Sequence, residues 1–169
     1  MLRPSAPASH RPWETGERIV NTLAIITIGS PSSRGNPRQM PDQPSYHPLY
    51  LKGIEYFNEC DFFESHEVWE ELWSDEQGPS RRYYQGLIQA AVALHHFGNG
   101  NIRGARKLNT SCRKYLDDYR PGYLGLDLDT FLNQMDACFS EAMASTEEFP
   151  EVILDPELIP EIHLVEQDQ

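Results

Sequence analysis

FFESHEVWEELW, residues Phe62 to Trp73, sets two phenylalanines and two tryptophans among a histidine and four glutamates. At about 100° per residue, Phe62, His66, Glu70 and Trp73 fall on one stripe of a helix, with Phe63 and Trp69 at its borders. A period of this kind cannot be a strand, so the segment commits its surroundings to helix packing. The same stripe holds an imidazole and a carboxylate one turn apart between aromatic walls. That arrangement suits proton transfer, metal ligation or a satisfied polar contact in a core, and the sequence leaves all three open.

Working outward, the punctuation is helical on both sides. Pro48 to Glu59 reads as a first helix, with Leu51, Ile54, Tyr56 and Phe57 on its apolar side, and Asp61 offers an N-cap for the second. Gly78-Pro79-Ser80 breaks the second helix after about Asp75, and Gly98 with Gly100 closes a third near Phe97. That third helix contains GLIQAAVAL, apolar almost all round, as the central helix of a bundle should be. A fourth runs from about Ile102 to Tyr119. Asp127 or Asp129 starts a fifth, Thr130 to Ser145, with Phe131, Met135, Cys138, Phe139 and Ala142 inward. No strand pattern of any length intervenes. The fold class is all-α, a helical bundle of about five helices with short connections.

The ends read differently. Residues 1–45 carry 7 of the 13 prolines and no helical period, so they are expected to be a non-globular tail. Within it the apolar run Ile19 to Ile28 has no convincing signal-peptide flanks. An over-extended reading frame with the true start at Met40 explains the tail equally well. The helical domain is then 46–146. Residues 147–169, acidic and broken by Pro156 and Pro160, form a C-terminal tail that is extended on the surface or disordered.

Composition bounds the setting. The 169 residues are 39% hydrophobic with a formal net charge of −12, built from 26 acids against 11 Arg and only 3 Lys. This suits one globular domain with an acidic, hydrated surface, of the halophilic kind or of an ordinary cytoplasmic protein. No run approaches a membrane span. Cys60, Cys112 and Cys138 are odd in number and in no ligand spacing, as reduced cytoplasmic thiols would be. The charge is also unevenly placed. Leu51 to Pro79 holds nine acids and one Lys, while Arg81 to Arg120 holds eight bases against Asp117 and Asp118. Complementary packing of helices accounts for this, and an anion site from Arg81, Arg82, Arg103 and Arg106 near helix ends is the functional alternative. Nucleic acid is disfavoured by the overall charge.

On the third helix Gln85, Gln89, Val92 and His96 make a second stripe. A buried polar group without a partner costs on the order of 1–3 kcal/mol, so these amides need partners across the second helix. The expected network has Glu70 accepting from a Gln amide or from His96, and His66 facing Gln89. It would form a polar pocket lined by His66, Glu70, Trp73, Gln85, Gln89 and His96. If the pocket is catalytic, His66 or Glu70 is the general base, and the task is binding or hydrolysis of a small polar or anionic ligand. The rival is a non-catalytic interaction or dimerisation module with a structural polar cluster.

Metal chemistry has a partial match. His66-Glu67-Val68-Trp69-Glu70 is one residue from the zincin H-E-x-x-H, and the missing second histidine weakens it. No metal is expected; the conditional set is His66, Glu70 and His96. No cofactor motif is present, and GNGN at 98–101 reads as a helix cap.

FNECDFFESHEVWEELW and YYQGLIQAAVALHHFGNGNIRGARKL, in this order and spacing, resemble the family called domain of unknown function 309. The family's His-x-x-x-Glu-x-x-Trp is matched by His66, Glu70 and Trp73. Its second block is matched by Gln85 to Gln89, His96, Gly100, Asn101, Gly104 and Ala105. The resemblance covers about residues 46–125 and implies a helical fold and a site, with no biochemical role attached. Gly104, early in a helix, is expected to let a neighbouring aromatic such as Trp73 approach the backbone.

Overall fold

A computed structural model describes residues 46–147 and 150–165. The expectations for residues 1–45, including the run Ile19 to Ile28 and a start at Met40, lie outside the described residues. Among those described, five helices follow in chain order: α1 Pro48–Asn58, α2 Phe62–Asp75, α3 Ser80–Gly98, α4 Ile102–Leu116 and α5 Leu128–Ala144. The all-α bundle is what the periodicity demanded. Consecutive helices pack as hairpins, α1 on α2, α2 on α3 and α3 on α4, with α5 against α4. No described helix is long and apolar enough to cross a membrane.

The ends of the helices show why they stop. The α3 end has Gly100 at φ +75°, with Gly100 N–H donating to Phe97 O and Asn101 N–H to His96 O. Those two bonds satisfy carbonyls that the helix would otherwise leave bare. The α1 end repeats the pattern at Cys60, φ +64°, where glycine would be the unstrained choice. Asp61 precedes α2 as expected, yet its carboxylate makes no cap bond. Asp127 does cap α5, accepting from Thr130 N–H at 3.0 Å.

Trp69 is the centre of the core, with no exposure, although its position on the helical wheel put it at the border of the stripe. The buried face of α2 is Phe62, Ser65, Trp69 and Leu72. The reason is Gly53 on α1: a side-chain carbon there would overlap the indole, so its absence lets the two helices close on Trp69. Trp69 Nε1 then donates to Tyr50 O at 3.3 Å, and Ser65 Oγ donates to Gly53 O at 2.9 Å. On α1 the buried residues are Tyr50, Gly53, Ile54 and Phe57, while Leu51 faces solvent and Tyr56 is half-buried. Gly86 plays the matching part between α3 and Leu116 of α4. Gly104 does not meet Trp73; it sits beneath its own cap, Asn101, whose Oδ1 accepts Gly104 N–H at 3.0 Å.

Two features correct the sequence reading. A short antiparallel hairpin, β1 Gly122–Tyr123 and β2 Leu126–Asp127, turns through Leu124 and Gly125, both at positive φ, ahead of α5. The C-terminal tail is extended as expected but anchored rather than loose. Leu154, Ile159 and Ile162 are buried, and Asn58 clamps Ile162 by donating to its carbonyl and accepting its N–H, both at 2.8 Å. Val165 N–H reaches Gly125 O at 2.8 Å, which adds the tail to the hairpin.

Candidate functional site

Most of the residues that the sequence singled out lie on the two helices of the α2–α3 hairpin. His66, Trp73, Gln85, Gln89, Val92 and His96 are all half-buried, and the side-chain contacts between the two helices run from Trp73 and Arg81 at one end to Phe63 and His95 at the other, a line we call the seam. Glu70 is exposed beside it. Among the described residues no hydrogen bond joins Glu70 to Gln85, Gln89 or His96, and none joins His66 to Gln89. The expected network is therefore corrected: Glu70 sits on the water side, where solvation holds a carboxylate better than a half-buried amide would.

The two ends of the seam differ. At the turn end, the Arg81 guanidinium lies 3.9 Å over the Trp73 ring. Its Nη1 donates to Trp73 O at 2.6 Å and Glu76 O at 2.7 Å. These bonds satisfy carbonyls at the end of α2 and close the loop onto α3. Trp73 and Arg81, both expected to bind ligand, instead hold each other.

At the open end, Phe63 stands 46% exposed. The His66 ring packs edge-on against it at 4.8 Å between centroids, and the His95 ring at 5.7 Å. His95 leads on to His96 at 6.2 Å, and its Nε2 meets Asn99 Nδ2 at 3.0 Å. His66 Nδ1 is buried and has no hydrogen-bond partner. That nitrogen is the one polar atom of the seam that folding has desolvated without compensation.

The remaining expectations resolve by position. Arg81 and Arg82 open α3, whereas Arg103 and Arg106 open α4 at the other end of that 19-residue helix, roughly 28 Å away. One small anion cannot bridge them. Arg82 reaches Asp118 at 3.4 Å, and Arg106 binds the carbonyls of Ala142, Ser145 and Glu147 that end α5. Arg103 is exposed on the first turn of α4. For metal, the conditional set His66, Glu70 and His96 does not converge: among the described residues no three His, Cys, Asp or Glu side chains are placed to hold an ion.

Next to the seam lies a tyrosine cluster that the sequence did not signal. Tyr50 and Tyr83 share a hydroxyl hydrogen bond of 2.8 Å inside the core, and Tyr50 OH also donates to Leu124 O. Burial pushes both phenols well above the ordinary tyrosine range, so neither is a base or nucleophile near neutrality. Burial likewise pushes the Cys112 and Cys138 thiols up to about 12. The tyrosines could not be found by period, because Tyr50 and Tyr83 come from helices that meet only in three dimensions.

Comparison with known proteins places the seam inside a recognised unit. Residues 50–108 match the model of a family described as domain of unknown function (DUF309). An uncharacterized protein, YpuF, of Bacillus subtilis (strain 168) is 34% identical over 91 residues, 52% of this chain and 52% of that protein. An uncharacterized protein of Aquifex aeolicus (strain VF5) is 43% identical over 53 residues, 30% of this chain and 16% of its own length. The chain thus spans about half of the first relative and a smaller part of the second.

Proposed function

Residues 50–108 belong to the DUF309 family, and from that premise we propose that the domain is a non-catalytic interaction module whose α2–α3 surface docks a protein partner. The observation that carries this reading is Phe63, a large apolar side chain nearly half exposed and steadied by the rings of His66 and His95. Large aromatics held rigid at a surface are the usual anchors of protein interfaces. Glu70 lies exposed and, among the described residues, makes no side-chain hydrogen bond to His66, which gives no support to a paired acid–base reading. The buried thiols of Cys112 and Cys138, free of disulfides, support a reducing, cytoplasmic setting.

A photo-crosslinking phenylalanine at position 63, in the full chain in its native host, tests this. Discrete adducts are expected there and absent from a control at Met143, which is 48% exposed on α5. No adduct at position 63, or equal adducts at both, overturns the reading. A second reading rests on His66 Nδ1: a small polar ligand would supply the hydrogen bond that the fold withholds. A thermal-shift response to small polar compounds, lost in His66→Leu, would favour it over the first.

A further inference from the structure

We infer that residues 150–165 form a strap that opens as one unit while the helices stay folded, and that Asn58 is its latch. The strap runs back along α5, from the end of that helix toward its start. Its root is pinned where Arg106 binds the carbonyls of Ser145 and Glu147. Asp155 then lies near Cys138, and the single turn Pro156–Leu158 packs on α5. Ile162 meets Asn58 at the end of α1, and Leu164 pairs with Leu126 just ahead of α5.

The way the segment is held is what lets it open separately. A helix satisfies most of its backbone internally, whereas an extended strap must borrow partners from the surface it lies on. The borrowed partners include Gly125 O, which accepts Val165 N–H at 2.8 Å, and the Asn58 amide, which takes both backbone polar groups of Ile162. One side chain thus stands in for the edge of a neighbouring strand, and it does so without reading the sequence it holds. Burial is equally sparing. Leu154, Ile159, Pro160 and Ile162 are buried, but Ile153, Leu158 and Val165 stand exposed. Those three are half of the six large apolar side chains exposed among the described residues. Opening the strap therefore brings few new side chains into water, far fewer than unfolding the helices would.

Release bares one flank of α5 and the end of α1 without dismantling the bundle. Cys138 reports on it. This residue is 5% exposed on α5, and burial together with the nearby Asp155 carboxylate raises its thiol. Cys112 is the internal reference: it is fully buried on α4, with Arg113, Asp117 and Asp136 as charged neighbours, so it belongs to the helices. Asn58→Ala removes both bonds of the latch. The Ile162 amide then loses its acceptor directly and tells nothing about opening. The Val165 amide is bonded elsewhere, so it responds only if the segment moves as a whole.

Hydrogen exchange at single amides and alkylation by N-ethylmaleimide, both on the reduced full chain under native conditions, test the strap. In the wild type, Val165 should exchange and Cys138 react far faster than the amides in the middle of α3 exchange and Cys112 reacts. Asn58→Ala should raise the Val165 and Cys138 rates by the same factor, about tenfold, because one opening governs both. Cys112 and the α3 amides should keep their wild-type rates. Ile162→Ala leaves Asn58 in place, removes a buried anchor, and should raise the same two rates together. Asn133→Ala, at an exposed position of α5, should change neither. The inference is overturned if Cys138 in the wild type is as slow as Cys112, or if Asn58→Ala leaves both rates unchanged. It is also overturned if the Val165 and Cys138 rates do not follow each other, or if Cys112 and α3 share the rise, since the opening would then be global.

Discussion

The two sides of α2 solve the same physical problem in opposite ways. Toward α1, every polar atom that enters the core finds a partner: Ser65 Oγ on Gly53 O and Trp69 Nε1 on Tyr50 O. Toward α3, His66 Nδ1 is desolvated with no partner, and the neighbouring Phe63 is left half in water. The first side gathers stability. The second holds polar and apolar groups in a state that an additional molecule would improve. A helix that needed only to fold would have no reason to treat its two sides so differently.

The largest effect should come from emptying the satisfied side. Trp69→Ala removes the biggest fully buried side chain and is expected to cost about 3–5 kcal/mol, because α1 and α2 are held apart by the helix backbones and cannot collapse into the space. Urea denaturation followed by circular dichroism measures it. A loss under about 1 kcal/mol would mean that the indole is less central than its burial indicates.

Alkaline pH attacks the same side without mutation. Burial raises the Cys112 thiol from its ordinary 9.0 to about 12 in the folded chain. Its contribution to stability is therefore full below pH 9 and is lost as pH rises through about 12. Over that window the unfolded thiol is already ionised, and the slope is about 1.4 kcal/mol per pH unit for this one group. Tyr50 and Tyr83, also raised by burial, add to the slope once unfolded tyrosines ionise. Urea midpoints taken under reducing conditions should fall steadily above pH ~9, and less steeply in Cys112→Val. Equal slopes would remove Cys112 from the account.

Tyr50→Phe is the next step down. It deletes one hydroxyl but strands another, since Tyr83 OH is deeply buried and Tyr50 OH is its 2.8 Å partner. The expected cost is about 1–3 kcal/mol, dominated by the abandoned group and not by the bond itself. Tyr50→Phe combined with Tyr83→Phe should therefore be less than additive, which a double-mutant cycle reads directly.

What was legible before the fold was known follows the same division. Breaks at Gly78-Pro79, at Gly98 to Gly100 and at Asp127 are local chemistry, and the helices end or begin within a residue or two of them. The alternation of Trp69 and Trp73 was not decidable locally. Both are equally apolar, and only Gly53 on another helix admits one of them to the core. The anchored tail was hidden for a similar reason: Asn58 and Ile162 are 104 residues apart, and an asparagine after a helix announces no particular partner. At the site, half-burial of Gln85, Gln89 and His96 agrees with their stripe, whereas the bonds expected among them required Glu70 to face inward. A carboxylate at the margin of a hydrophobic face turns to water, and spacing alone cannot weigh that preference.

The smallest effect is the most discriminating. His66→Leu replaces the unpartnered imidazole with an apolar side chain that can still rest against Phe63. A desolvated nitrogen without a hydrogen bond is a liability to the isolated chain, so the variant should be as stable as the wild type or more stable by up to about 1 kcal/mol. The wild type would then be retaining a costly group that serves no purpose in folding, as sites of function commonly do. Urea denaturation measures the stability, and crosslinking from position 63 in the same variant shows whether the surface has lost its partner. Loss of several kcal/mol would reverse the comparison of the two sides, because His66 would then belong with Trp69 as part of what holds the helices together.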